Sequence, residues 1–235
     1  MKIVAIETAT AASSVALGED GEVVASAART DRRGHVEFLV PALDFSFSQA
    51  GWAAADIDVV AVDVGPGLFS GIRTGLATAQ ALAGAVGAQL VPVVSLDVVA
   101  LRAATGRRRI WAVIDARRGE VAVAPYRPVP GGVVRDGPIE LMAPNTLRGL
   151  LESDPADKLI VGDWQVLPDD VFRGVHGVKL ARPRHPSAEA ALQLAELAVE
   201  RDDVPHPDEV RPRYLREPDV RISWSDFRKE GAWES

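Results

Sequence analysis

The chain of 235 residues contains no cysteine. That excludes a disulfide framework, thiolate catalysis and a zinc site of the cysteine type. Histidine is scarce, and His35, His176, His185 and His206 have no spacing that sets two on one helical turn, so a histidine-based metal site lacks its usual signature. Long apolar runs are missing too. The run at 3–6 is too short for a signal-peptide core and no stretch approaches a membrane span free of polar residues, which predicts a cytoplasmic protein. Net positive charge is also absent: at −7 the composition argues against a broad electrostatic surface for nucleic acid. Three local arginine clusters stand out against it, namely Arg29 with Arg32 and Arg33, Arg107 to Arg109, and Arg211 with Arg213 and Arg216. Each reads as a solvated loop or strand end.

What is present is the balance of a soluble globular protein, 47% hydrophobic and 25% charged, in a chain long enough for one large domain or two ordinary ones. The stretch from 58 to 84 organises the rest. It opens as a valine-rich strand, breaks at Gly65-Pro66-Gly67 and resumes with helical spacing. There Gly71, Gly75, Ala79 and Ala83 recur every four residues and form a ridge almost without side chains, with Leu68, Ile72 and Leu76 in the row beside it. Glycine in a helix costs about 1 kcal/mol against alanine, so the ridge implies that another backbone comes close. That backbone belongs either to the chain's own sheet or to a partner.

Taken in order, residues 2–6 read as a buried strand, and 14–17 with 22–27 as two strands around the hairpin pair Asp20-Gly21. A helix follows over 35–49, with a kink or late start expected at Pro41. Next come the central strand, the ridge helix over 68–84, a strand over 89–94, and a helix over 96–104 that Ser95 is placed to cap. The order is strand, strand, strand, helix, strand, helix, strand, helix, which fits a mixed sheet with helices on its faces. The second part replays it loosely. Strands at 110–115 and 120–126 flank the Arg117-Arg118-Gly119 turn, and extended residues run on to Met142. A short helix over 146–151, strands at 158–161 and 178–181, and a helix capped by Ser187 running to Arg201 complete it. Residues 1–105 and 106–217 thus read as two related halves, each a mixed sheet with flanking helices in an α/β fold. Residues 218–235 form a polar tail in which Trp224, Phe227 and Trp233 are candidates for docking.

Chemistry is harder to find. The Gly65-Pro66-Gly67 turn could present amides to an anion, but no Lys-Ser or Lys-Thr follows it, Ser70 takes the place of the third dinucleotide glycine, and no acid marks a ribose. No serine sits in a Gly-x-Ser-x-Gly elbow. Asp115 and Glu120 flank a hairpin and read as solvated acids rather than a catalytic pair. His35 opens a helix as a cap or interface residue.

Read together, the motifs IETAT at 6–10, SSVAL at 13–17, His35 with Leu39-Val40-Pro41, GPGLFSGIRTGLATAQALA at 65–83, PVVSLDVVA at 92–100, DARRGEV at 115–121 and Tyr214-Leu215-Arg216 resemble the bacterial TsaB (YeaZ) family. The resemblance implies the actin-like ATPase fold of sugar kinases and heat-shock proteins. It also implies a part in placing threonylcarbamoyl on the adenosine beside the tRNA anticodon, as a scaffold and activating subunit. The partners it implies are TsaD in a heterodimer and the ATPase TsaE, with tRNA met indirectly through the complex and a homodimer as the alternative state of the isolated chain. The metal-binding histidine pair of TsaD falls here on Ser95 and Val99, neither of which replaces an imidazole. The phosphate-turn aspartate and glycine of the kinases are replaced by Glu7-Thr8-Ala9-Thr10. The resemblance therefore implies no catalytic residue, no metal and no cofactor of the chain's own, with a nucleotide at the partner interface left open. The residues expected at that interface are His35, Leu39, Leu43, Phe69, Gly71, Ile72, Gly75, Leu76 and Ala79, packed in a small four-helix bundle. The rival reading is an autonomous enzyme of the same fold, a small kinase or a glycopeptidase.

Overall fold

The structure is a computed structural model that describes residues 1–104, 106–182 and 184–215. Five strands make the first sheet, β1 (Lys2–Glu7), β2 (Ala12–Glu19), β3 (Glu22–Thr30), β4 (Val59–Asp63) and β5 (Gln89–Val93), in the order β3-β2-β1-β4-β5. β1 is antiparallel to β2 and parallel to β4. Helices cover both faces of this sheet, so its central strands are continuous apolar runs rather than alternating ones, and Ile3 to Ile6 and Val59 to Val62 are at most 1% exposed. The β2–β3 hairpin turns at Asp20 (φ 49°) and Gly21 (φ 85°), both left-handed as a two-residue turn of this hand requires.

The second sheet repeats the pattern. Its strands are β6 (Arg109–Asp115), β7 (Val121–Val129), β8 (Gly132–Arg135), β9 (Glu140–Met142), β10 (Lys158–Gly162) and β11 (Val178–Leu180). The order is β11-β10-β6-β7-β8 with β9 on β7. As in the first sheet, an antiparallel trio leads into two parallel strands. The chain is therefore built from two related mixed sheets.

Five helices complete the layers: α1 (His35–Ala50), α2 (Phe69–Val86), α3 (Ser95–Arg102), α4 (Pro144–Ser153) and α5 (Ala188–Glu200). One face of the first sheet packs on α1 and α2 through Leu39, Leu43, Leu76 and Ala79. The other receives α5 through Ala188, Ala191, Leu192 and Ala195, together with Val98 of α3. Leu96, Val99 and Ala100 of α3 face the second sheet, whose far side carries Leu147 and Leu151 of α4. A buried Tyr126 hydroxyl donates to Asp97 at 2.6 Å and Arg135 grips the same carboxylate at 2.6 Å, fixing α3 to β7 and β8.

Three sequence expectations need correction. The helix over 35–50 runs through Pro41, so of the kink and the late start expected there the late start is excluded. Ser95 is the first residue of α3 rather than its cap, since its hydroxyl is engaged by Asp63. The final helix, which chain order places with the second half, packs on the first sheet. The expectation for Ser187 holds: its hydroxyl accepts from the Ala190 amide. Arg216 and the tail aromatics Trp224, Phe227 and Trp233 lie outside the described residues.

Candidate functional site

The glycine ridge faces inward. A Cβ at Gly71 would lie 2.0 Å from the Thr8 carbonyl oxygen, and one at Gly75 would lie 2.3 Å from Thr8 Oγ1. The close backbone is the turn at the end of β1, and several hydrogen bonds hold it there. Thr8 Oγ1 donates to the Gly71 carbonyl at 2.8 Å, the Leu68 amide donates to the Ala9 carbonyl at 2.6 Å, and His35 Nε2 donates to the Thr10 carbonyl at 2.7 Å. This corrects the interface expected from spacing. His35, Leu39, Leu43, Gly71, Ile72, Gly75, Leu76 and Ala79 are all buried within the chain itself, and Phe69 alone of the nine is exposed. The same contacts close the expected anion turn. The amide of Leu68, which caps α2, is already bonded to Ala9, and a Cβ at Gly67 would lie 2.0 Å from the same carbonyl oxygen, so little room is left between the two turns.

Beneath these turns lies a pair of acids that motif reading did not single out. β1 and β4 run parallel with Ile6 opposite Val62, so Glu7 and Asp63 follow side by side at their ends. Both are fully buried. Asp63 Oδ1 accepts from the Gly65 amide at 2.7 Å and the Ser95 hydroxyl at 2.6 Å, while Glu7 Oε1 accepts from the Ala9 amide at 2.7 Å. The remaining oxygens, Glu7 Oε2 and Asp63 Oδ2, meet no hydrogen-bond donor, and two carboxyls buried side by side resist ionising together. Burial, and then the charge of Asp63, hold Glu7 well above the ordinary carboxylate range. Asp63 is raised by burial against the pull of its hydrogen bonds. The signal was legible: each acid ends a run of otherwise apolar residues, on two strands that pair.

The second sheet carries a counterpart. Asp115 ends β6 and Asp163 follows β10, and the Asp115 amide donates to Asp163 Oδ2 at 3.1 Å. Burial raises the Asp163 pKa and lowers that of His185, whose Nδ1 lies 3.8 Å from Asp163. This pair borders a cavity of about 210 Å³ between the two sheets, also lined by Thr10, Arg32, Gly67, Arg117 and Arg184. Arg32 reaches across it to within 3.7 Å of Asp115. Asp115 is thus part of an inter-sheet cluster, and Glu120 does not line that cavity with it.

The outer surface of α1 and α2 carries small and apolar residues in a different register from the buried ridge, among the exposed Glu37, Asp44, Arg73 and Gln80. Val36 and Val40, one turn apart on α1, are 69% and 64% exposed. On α2 the outward row is Ala77, Ala81 and Gly84, and a Cβ at Gly84 would meet nothing within 4 Å. The chain returns to this helix at its end: the Arg213 amide donates to the Val64 carbonyl, Tyr214 stacks on Phe69 with centroids 5.1 Å apart, and Arg73 donates to the Tyr214 hydroxyl. That accounts for the Tyr214-Leu215 motif. Ser95 and Val99 are wholly buried, the former bonded to Asp63 and the latter in the core beside the second sheet.

Comparison with known proteins agrees with this architecture. A family model described as TsaD, tRNA N6-adenosine threonylcarbamoyltransferase, matches residues 22–136. The Escherichia coli tRNA threonylcarbamoyladenosine biosynthesis protein TsaB is 34% identical over 72% of this chain and 74% of its own length. A Mycobacterium leprae protein, the uncharacterized protein ML0378, is 32% identical over 95% of this chain, which spans 57% of that longer protein. The structure of YeaZ from Pseudomonas aeruginosa superposes with a TM-score of 0.77 at 29% identity, covering 91% of this chain and 99% of that one.

Proposed function

Since the chain belongs to the TsaB (YeaZ) family, we propose that its two related sheets are the actin-like fold of that family and that it acts in tRNA threonylcarbamoyladenosine biosynthesis as the non-catalytic, activating partner of TsaD. The observation that carries this reading is the outward face of α1 and α2, where Val36 and Val40 stand exposed beside a helix whose outer row is Ala77, Ala81 and Gly84. Small side chains let helix axes approach to about 8 Å, the near end of the usual packing range. The bundle inferred from spacing is retained, and its contact residues shift from the buried ridge to this row. TsaE joins as the ATPase, tRNA is the substrate of the assembled complex, and the same face serves self-association when TsaD is missing.

The rival reading, a kinase or glycopeptidase acting alone, finds less support. The amide of Leu68 and the space beside Gly67 are taken by Ala9, and a serine and a valine, both buried, stand at the positions of the TsaD metal pair. We therefore assign the chain no metal or nucleotide of its own.

The test is a Val36→Asp, Val40→Asp double variant. Affinity for TsaD, measured by calorimetry, is expected to fall by about 30-fold or more, equivalent to about 2 kcal/mol for disrupted anchor contacts. The melting temperature should stay within about 2 °C, as for surface changes outside a core. Unchanged affinity in a folded double variant refutes the docking face. Threonylcarbamoylation of tRNA by TsaD and TsaE with and without this chain tests the activating role separately.

A further inference from the structure

The inter-sheet cavity does not end at its mouth. Arg184 and His185 line both it and a second groove of about 440 Å³ that continues over β2, β3 and the start of α5, past Arg29, Arg102 and Arg182. Along the two concavities stand six arginines, Arg29, Arg32, Arg102, Arg117, Arg182 and Arg184, against three acids, Asp115, Asp163 and Glu189. This excess of positive charge lies on a chain whose net charge is −7, so it is local and one-sided.

We propose that this arginine-lined groove binds the ribose-phosphate backbone of a folded RNA of the tRNA class, so that the chain touches its substrate directly rather than only through its partners. The proposal rests on the tRNA-pathway reading above and adds to it a surface remote in kind from the apolar α1–α2 face.

Four of the six arginines are available for such a contact, while Arg102 donates to the His185 carbonyl and Arg117 is paired with Asp115 at 3.3 Å. Arg182 and Arg184 have no ion pair or hydrogen bond among the described residues. Arg29 is paired with Asp31 two residues on, and Arg32 is 58% exposed with its acid 3.7 Å away. Exposed pairs of this kind are worth little and exchange readily for phosphate, to which a guanidinium fork is matched. The backbone offers no competing anion site here: at the start of α5 the Ala188 amide is taken by Ser14 and the Ala190 amide by Ser187. The apolar lining of the outer groove consists of Ala12, Ala28 and Pro186, with no pocket for the aromatic or large aliphatic anchor on which protein partners depend. An extended polyanion fits these features better than an acidic peptide.

The experiment measures fluorescence anisotropy of a labelled, unmodified tRNA transcript titrated with the full chain alone at 50 to 200 mM KCl. Sequence-independent phosphate contact predicts a dissociation constant of about 10⁻⁴ to 10⁻⁶ M near physiological salt. In an Arg182→Ala, Arg184→Ala variant the slope of log affinity against log salt should fall by about 1.8, and binding at 0.1 M salt should weaken about 60-fold, since each lost phosphate contact removes about 0.9 from the slope. The melting temperature, read on the same sample, should not change. Full-strength binding by the double variant overturns the proposal, as does the absence of tRNA binding by the parent chain at 50 mM salt. Displacement of the RNA by polyglutamate at equal charge concentration would assign the groove to acidic protein instead and also overturn it. None of these outcomes touches TsaD affinity, so the docking reading stands or falls on its own measurement.

Discussion

Gly71→Ala is expected to lower the melting temperature by about 6–12 °C, the equivalent of roughly 3 kcal/mol in a chain of this size. Helix propensity alone predicts the opposite sign, because alanine is favoured over glycine in a helix interior by about 1 kcal/mol. The sign reverses because the added methyl would sit 2.0 Å from the Thr8 carbonyl oxygen, a backbone atom held on the neighbouring strand end that cannot swing aside. Displacing it also strains the Thr8 hydroxyl bond to Gly71 and the Leu68 amide bond to Ala9. Gly84→Ala on the same helix is the matched control, since its methyl meets nothing within 4 Å. It should gain about 0.5–1 kcal/mol. Differential scanning calorimetry of the two variants decides the matter, and a stabilised Gly71→Ala chain would mean that the ridge faces outward after all.

The second large effect is expected at Asp63. Asp63→Ala removes the shared acceptor of the Gly65 amide and the Ser95 hydroxyl and leaves Glu7 buried without its partner. Each buried donor left unsatisfied costs about 1–3 kcal/mol, so the two together cost about 2–6 kcal/mol, or about 4–24 °C in melting temperature. Glu7→Gln should be mild by comparison, because the amide oxygen still accepts from Ala9 and the uncharged side chain no longer repels Asp63. The two differ again in their pH dependence. Glu7 has a raised pKa in the folded state, so it binds a proton there more tightly than in the unfolded chain. The stability it contributes is fully present below the unfolded glutamate pKa of about 4.3 and is lost as pH rises through the higher folded value. Glu7→Gln should flatten that decline in a plot of unfolding free energy against pH. An unaltered slope would show that Glu7 is ionised throughout.

Much of the architecture could be read from residue patterns because the signals are local. The turns at Asp20-Gly21 and Arg117-Arg118-Gly119, the all-apolar run of Ile3 to Ile6 and the Ser187 cap each depend on neighbours within a few residues, and each falls where the pattern puts it. The ridge showed that some backbone must approach α2, but spacing along one helix carries no information about which backbone. Only the pairing of β1 with β4 brings Thr8 beneath Gly71. The exposed row on the opposite side, Ala77, Ala81 and Gly84, has the same small-residue character and was hidden by the stronger glycine signal. Ser95 illustrates a second limit: its position fits a cap, yet a carboxylate 32 residues earlier in the chain claims its hydroxyl. The acid pair and the inter-sheet arginines are likewise products of strand register and of the meeting of the two sheets.

The packing of α5 on the first sheet has a consequence for the order in which the molecule is made. When β5 emerges from the ribosome, the first sheet can cover only the face that receives α1 and α2. Its other face, with Ile3, Ala5, Val59, Val91 and Val93, waits for Ala188, Ala191 and Leu192. Those residues are translated after the whole second sheet, several seconds to about 20 s later at about 5–20 residues per second. The nascent chain must therefore carry a half-dressed sheet while the whole second sheet is made. A premature stop before α5 would release that sheet with one apolar face bare, a substrate for chaperones rather than a smaller working domain.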